Sequence, residues 1–442
     1  MMNHNTDCPM TTARGFRPIR TVIALGLGAL WMTPASDLSA QDLQTIGKID
    51  RRTEALDQYL AEDAKIEVLA GGMTWSEGPV WVSDPSALGL GPDESASPQV
   101  TSGDARSSTK STDDKPEQTS QSRSADTNDA SEQSGPVGGS SNAVVETTKP
   151  DRPGSTSGGV SSPDESATSR GFLLFSDIPR NSVFRWPAEG ASESNEGVSL
   201  FMRPSGYTGV TKYGAEPGSN GLTLDLTGRL ILCEHGDRRV SQLTPGGGKI
   251  TLVDRYEGKR LNSPNDAVVD SQGRIYFTDP PYGLPERADD PLRTLDFFGV
   301  YRLDLDGTLT LLTKQMTRPN GIGLSPDEST LYVAQSDPDN PIWMAFPLQE
   351  GNGLGEGREL MNATEFMKEA PGLPDGLVVH SDGTLFASGP GGIYVIRPDG
   401  TLIGRIFTGG KVSNCTFDDS ESTLYITADD QVCRVRLQQP GS

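Results

Sequence analysis

Six short stretches of this chain begin on an oxygen-bearing side chain and then turn apolar. They are Glu77-Gly-Pro-Val-Trp81, Asn220-Gly-Leu-Thr-Leu-Asp225, Asn265-Asp-Ala-Val-Val-Asp270, Asn320-Gly-Ile-Gly-Leu-Ser325, Asp375-Gly-Leu-Val-Val-His380 and Asn414-Cys-Thr-Phe-Asp-Asp419. Carboxylate and amide oxygens hold hard cations. If the repeats form a ring, their first residues meet at its axis. Glu77, Asn320 and Asp375 then offer two carboxylates and an amide oxygen. With Asn220, Asn265 and water they suit calcium, magnesium or another oxygen-loving divalent ion. Turn chemistry explains one Asn-Gly pair. It does not explain Glu at the first copy.

Other chemistries are poorly provided for. The histidines are His4, His235 and His380. A His-rich zinc site is excluded, and a Ser-His-Asp triad would rest on His235 alone. Neither a Gly-x-Ser-x-Gly elbow nor a phosphate-binding glycine pattern is present. His235 lies in Cys233-Glu-His-Gly236 and Tyr282 in Asp279-Pro-Pro-Tyr282, each after a second strand. If those loops share a face with the repeat starts, both residues line a pocket mouth; each reads equally as a packing residue. His380 is expected at a surface turn.

The elements that must position these residues follow from the spacing. The later starts, at 220, 265, 320, 375 and 414, are roughly 40 to 55 residues apart, the period of propeller blades. Second strands read at Arg229–Glu234, Arg274–Asp279, Thr330–Ala334 and Thr384–Ser388, after turns such as Ser271-Gln-Gly273. Third and fourth strands follow, as at 299–304 with 308–312. The expected fold is all-β, a six-bladed propeller of four-stranded antiparallel blades. The last repeat has only three strands, ending on 431–437. Its missing outer strand is expected from Ala64–Ala70, closing the ring with both chain ends. Residues 83–170, rich in Ser, Thr, Asp, Gly and Pro, cannot bury enough apolar surface to order. They are expected as a disordered insertion in the first hairpin of the propeller domain 41–442.

The chain has 442 residues, a formal net charge of -22 and a pI near 4.6. That charge opposes binding to nucleic acid or an anionic membrane. Arg14, Arg17 and Arg20 precede an apolar run, Thr21–Met32, and small residues lead to Ala40. This reads as a signal peptide, 1–40, and a periplasmic or secreted protein with no membrane attachment after cleavage. Cys233, Cys415 and Cys433 are expected as buried thiols. The last two fall on strands two apart, about 10 Å, too far for a disulfide.

Read together, the motifs resemble the senescence marker protein/gluconolactonase family, also called regucalcin-like, and most closely its bacterial gluconolactonase branch. The carriers are Glu77-Gly-Pro-Val-Trp81, Phe175-Ser-Asp-Ile-Pro179, Asn220-Gly-Leu-Thr-Leu-Asp225, Cys233-Glu-His-Gly236, Ser263-Pro-Asn-Asp266, Phe277-Thr-Asp-Pro-Pro-Tyr-Gly283, Arg318-Pro-Asn-Gly-Ile-Gly323 and Pro374-Asp-Gly-Leu377. The resemblance implies one divalent metal at the axis, held by Glu77, Asn320 and Asp375, with Asp375 also the catalytic base. Calcium is the first expectation, with zinc, magnesium or manganese as others. A further Asn that the family holds close to metal-bound water or substrate falls on Asn265, and beside it Asn220, His235 and Tyr282 are expected as substrate-binding residues. Where animal members carry a sugar-binding Arg, this chain has Ser263. The implied function is metal-dependent hydrolysis of a gluconolactone-like sugar lactone to the aldonic acid, by water attack on a metal-polarised carbonyl. The partner is a small-molecule lactone, and the protein is expected to be a monomer. The rivals are a secreted sugar- or protein-binding propeller with a structural ion, and a lactonase or esterase for a non-sugar substrate.

Overall fold

A computed structural model describes residues 43–90, 171–187, 197–349 and 353–438. The expected signal peptide lies outside these residues, as does the expected insertion from 91 to 170. Residues 83–90 are described and ordered. Pro85–Leu88 is a single 3-10 turn capped by Asp84, and Leu88 packs into the core between the first two blades.

Six antiparallel sheets form the blades of a propeller. The first blade is Ser76–Val82, Phe172–Asp177, Ser182–Pro187 and Ser199–Met202. The second runs Ser219–Leu224, Leu230–Glu234, Arg239–Leu243 and Lys249–Val253. The third runs Ala267–Val269, Ile275–Asp279, Gly299–Leu303 and Leu309–Thr313. The inner strands of the fourth, fifth and sixth are Pro319–Leu324, Leu377–Val379 and Val412–Phe417. Period-two alternation puts large apolar side chains between neighbouring blades. Phe172 and Leu174 of the first meet Leu222 and Leu232 of the second, and Cys233 and Val240 of the second meet Phe277 and Tyr301 of the third.

Ile66–Gly71 pairs antiparallel with Gln431–Arg436 and completes the sixth blade, so the chain's two ends close the ring. Two additions are not visible in the sequence pattern. Thr45–Ile46 adds an edge strand to the sixth blade, and Lys48–Arg51 adds one to the fifth. Lys-Ile-Asp-Arg lacks an alternating apolar face. Its pairing is reinforced by Arg405, whose Nη2 lies 2.7 Å from Asp50. Cys233, Cys415 and Cys433 are buried free thiols. Among the described residues no helix is long and apolar enough to cross a membrane.

At the axis the blades are stitched backbone to side chain. Ser176 Oγ donates to the Asn220 carbonyl at 2.8 Å, and Thr278 Oγ1 to the Asn320 carbonyl at 2.7 Å. Ser336 Oγ donates to the Pro374 carbonyl, Ser388 Oγ to the Ser413 carbonyl and Ser413 Oγ to the Ser76 carbonyl. Between the second and third blades the Gly221 amide donates to the Asn265 carbonyl at 2.7 Å. The glycine after a start residue is required by this approach, and at Gly78 by a φ of +50° as well. A Cβ on Gly321 would stand 2.1 Å from the Asp375 carbonyl oxygen, and one on Gly78 2.1 Å from that of Asn220.

Gly321→Ala must therefore push the fourth and fifth blades apart. A loss of about 1–3 kcal/mol is expected in a urea unfolding curve. A variant as stable as the wild type would contradict this packing.

Candidate active site

The stitched inner strands deliver the start residues to one place. In the first, second and fourth blades the pairing register slips at the start residue, as a β-bulge between Glu77 and Val80, Ser219 and Leu222, and Pro319 and Ile322. A bulge bends the strand and re-aims the side chains beside it. In the third and fifth blades the start residue precedes the strand. There the amides of Asn265 and Asp375 donate to the carbonyls of Thr278 and Ser388. The result is a cavity of about 500 Å³ whose wall includes Glu77, Asn220, Asn265, Asn320 and Asp375. That volume suits a small organic molecule.

The wall is crowded with acid. Glu77 is buried, and its pKa is pushed up to about 8, by burial first and then by the charge of Asp266. Asp375 stays partly open to the cavity, with its Oδ1 buried and without a hydrogen-bond partner. Burial first, and then the charge of Glu77, hold its carboxyl well above the usual range, while Asn320 acts in the opposite direction. Among the described residues neither carboxylate has a cationic partner within ion-pair distance. Asn220 Oδ1 and Asn265 Oδ1 are likewise buried and unpartnered. Asn320 commits its amide nitrogen to Ser336 Oγ at 2.7 Å, which leaves its oxygen for a ligand. Unpaired buried oxygens of this kind are costly unless something meets them. Carboxylate and amide oxygens converging without a counter-charge fit a hard divalent cation. Among the described residues no cluster of three or more His, Cys, Asp or Glu forms, so amide oxygens are needed to complete such a set.

Tyr282 stands on the cavity wall, its hydroxyl donating to the Ser336 carbonyl at 2.9 Å. The structure places His235 elsewhere. It is fully buried behind the wall, off the cavity surface, with Nδ1 3.6 Å from Glu216. Burial, helped by nearby Arg287, drops its pKa to about 3, so it is a neutral ring. Its place in Cys233-Glu-His-Gly suggested the mouth, but Gly283 packs directly across it. Ser263 is also structural. Its Oγ donates to the Pro280 carbonyl and accepts from the Gly283 amide at 3.0 Å. His380 is mostly covered, packed edge-on against Tyr59 and Phe417. Asn414 is more than a turn residue. Its amide reaches Asp266 at 3.3 Å in a second, smaller cavity of about 190 Å³.

Sequence reasoning missed Trp75, Glu216, Arg287, Arg318 and Lys411, which also line the cavity. A usable signal existed. Four of them lie one to four residues before the start of a blade's inner strand or its start residue, and Arg287 lies in the long loop after a second strand.

Glu77, Asp266 and Asp279 all hold their protons more tightly folded than unfolded, with Asp266 and Asp279 each raised to about 7 by burial. The folded state therefore binds more protons from the ordinary carboxylate range up to about 7 to 8, and stability falls as pH rises through that window. Chelator-treated protein is expected to melt at a higher temperature at pH 5.5 than at pH 8, and Asp266→Asn to reduce the difference. A melting temperature that rises with pH across this range would falsify the assignment.

Comparison with known proteins agrees with this geometry. The family model described as SMP-30/Gluconolactonase/LRE-like region matches residues 165–430. A gluconolactonase from Zymomonas mobilis is 32% identical over 450 residues, covering 98% of this chain and 100% of that protein. An L-arabinolactonase from Azospirillum brasilense is 30% identical over 186 residues, 41% of this chain and 57% of its own length. A solved gluconolactonase structure from Xanthomonas campestris aligns with a TM-score of 0.60 at 26% identity, covering 90% of this chain and 97% of that one. This chain belongs to the SMP-30/gluconolactonase/LRE-like family.

Proposed function

We propose that this protein is a lactonase that opens a sugar lactone to the aldonic acid. The observation that carries the reading is the convergence of Glu77, Asn320 and Asp375 on one cavity, with unpartnered oxygens from Asp375, Asn220 and Asn265. The full-length likeness to a gluconolactonase supports it. Glu77, Asn320 and Asp375 would hold a divalent cation, calcium first, which when bound supplies positive charge to polarise the lactone carbonyl.

The chain's own residues do the rest. Asp375 accepts the proton of the attacking water on the carboxylate oxygen that the cation would leave free. Water oxygen bonds to the carbonyl carbon, the bond from that carbon to the ring oxygen breaks, and the ring oxygen leaves as a hydroxyl with the proton returned to it. The side-chain amides of Asn265 and Asn220, whose backbone carbonyls accept the blade-to-blade hydrogen bonds, orient water and the sugar. Tyr282, fixed through its hydroxyl, walls the cavity beside them. His235 acts only from behind. The arginine-led apolar start of the sequence supports export to the periplasm or medium.

Asp375→Ala is expected to lower kcat for glucono-1,5-lactone by about a hundredfold or more while circular dichroism stays that of the wild type. Full activity in a folded variant would remove Asp375 from the mechanism.

A further inference from the structure

We propose that Glu216 reads the hydroxyl groups of the substrate, so that the cavity selects a polyhydroxylated lactone over a plain one. This rests on the lactonase reading above. Glu216 lies four residues before Asn220 and shares the cavity wall with Glu77, Asn220 and Asp375. Its charge is felt by both of those acids, raising each.

The segment that carries Glu216 is wedged in place. A Cβ on Gly214 would stand 2.9 Å from the Pro285 backbone, and one on Gly218 2.6 Å from the Ile178 carbonyl. One carboxylate oxygen, Oε1, accepts from Arg287 Nη2 at 2.7 Å. Arg287 is itself anchored, donating through Nη1 to the Tyr282 carbonyl at 2.8 Å and resting over the Tyr282 ring. The other oxygen, Oε2, lies 3.6 Å from His235 Nδ1, too far for a hydrogen bond. Among the described residues it accepts none. His235 is a neutral ring; burial raises the Glu216 carboxyl above the usual range, and Arg287, its ion-pair partner at 2.7 Å, opposes that shift and favours the ionised acceptor.

An ionised carboxylate can only accept. A lactone ring without hydroxyls presents oxygens and C–H groups, and would strip water from Oε2 while returning nothing. A sugar lactone brings O–H donors to the same place. Sites that hydrogen-bond a substrate hydroxyl discriminate strongly against the analogue that lacks it.

The test compares glucono-1,5-lactone with δ-valerolactone, the same six-membered ring without hydroxyls, in wild-type enzyme, Glu216→Gln and Arg287→Gln. Glu216→Gln is expected to raise KM for gluconolactone about tenfold with kcat within about threefold, and to leave kcat/KM for δ-valerolactone no lower than in the wild type. Arg287→Gln should shift the same KM in the same direction by less. Equal losses on both lactones, or no change on either, overturn the proposal. So does weaker calcium binding by Glu216→Gln, which would make Glu216 a ligand of the ion. Wild-type enzyme that hydrolyses neither lactone overturns the lactonase reading and this inference with it.

Discussion

The inner strands of neighbouring blades meet backbone to backbone at the axis, and the site is a consequence of that contact. Seryl and threonyl hydroxyls of one blade hold the carbonyl of the next blade's start region, at distances near 2.8 Å. In the four of six copies where glycine follows the start residue, an added Cβ would stand no more than 2.5 Å from the neighbouring blade. The start side chains are left to project where the blades converge. The ring thus fixes the direction of Glu77, Asn320 and Asp375 before any ligand arrives.

That geometry has an electrostatic cost. Glu77, Asp266 and Asp375 are carboxyls crowded near the axis, and each is raised mainly by burial. The protein does not neutralise them with internal arginines, although it has them to hand. Arg287 is spent on Glu216 at the wall, and Arg238 on the carbonyls of Leu261 and Asn262. Leaving the axis uncompensated keeps it available for a positive charge from outside. Preorganised dipoles and charges of this kind are what lower barriers in a shielded site.

Much of this was legible in the sequence because the signal was repeated. One Asn-Gly is a turn; six starts in register are a ring, and the lone Glu77 marks the start that turn chemistry cannot explain. The closing strand was legible too, since Ile66–Gly71 alternates and the last repeat lacked an outer strand. What was not legible came from contacts without local pattern. His235 directly follows a second strand, where a mouth residue was expected, yet its ring is buried beneath Gly283. Glu216 and Arg287 are separated by 71 residues, on loops with no periodicity. Lys48–Arg51 pairs with a strand more than 350 residues away, and its own residues carry no strand signal.

Coupling between ion occupancy and chemistry is the central claim, and one titration addresses it directly. Calcium is added stepwise to chelator-treated protein, and bound ion by calorimetry and gluconolactone turnover are measured on the same samples. Turnover is expected to rise in proportion to occupancy and to reach its plateau at one ion per chain. Full turnover before any ion is bound, or saturation of the ion site without turnover, would contradict it.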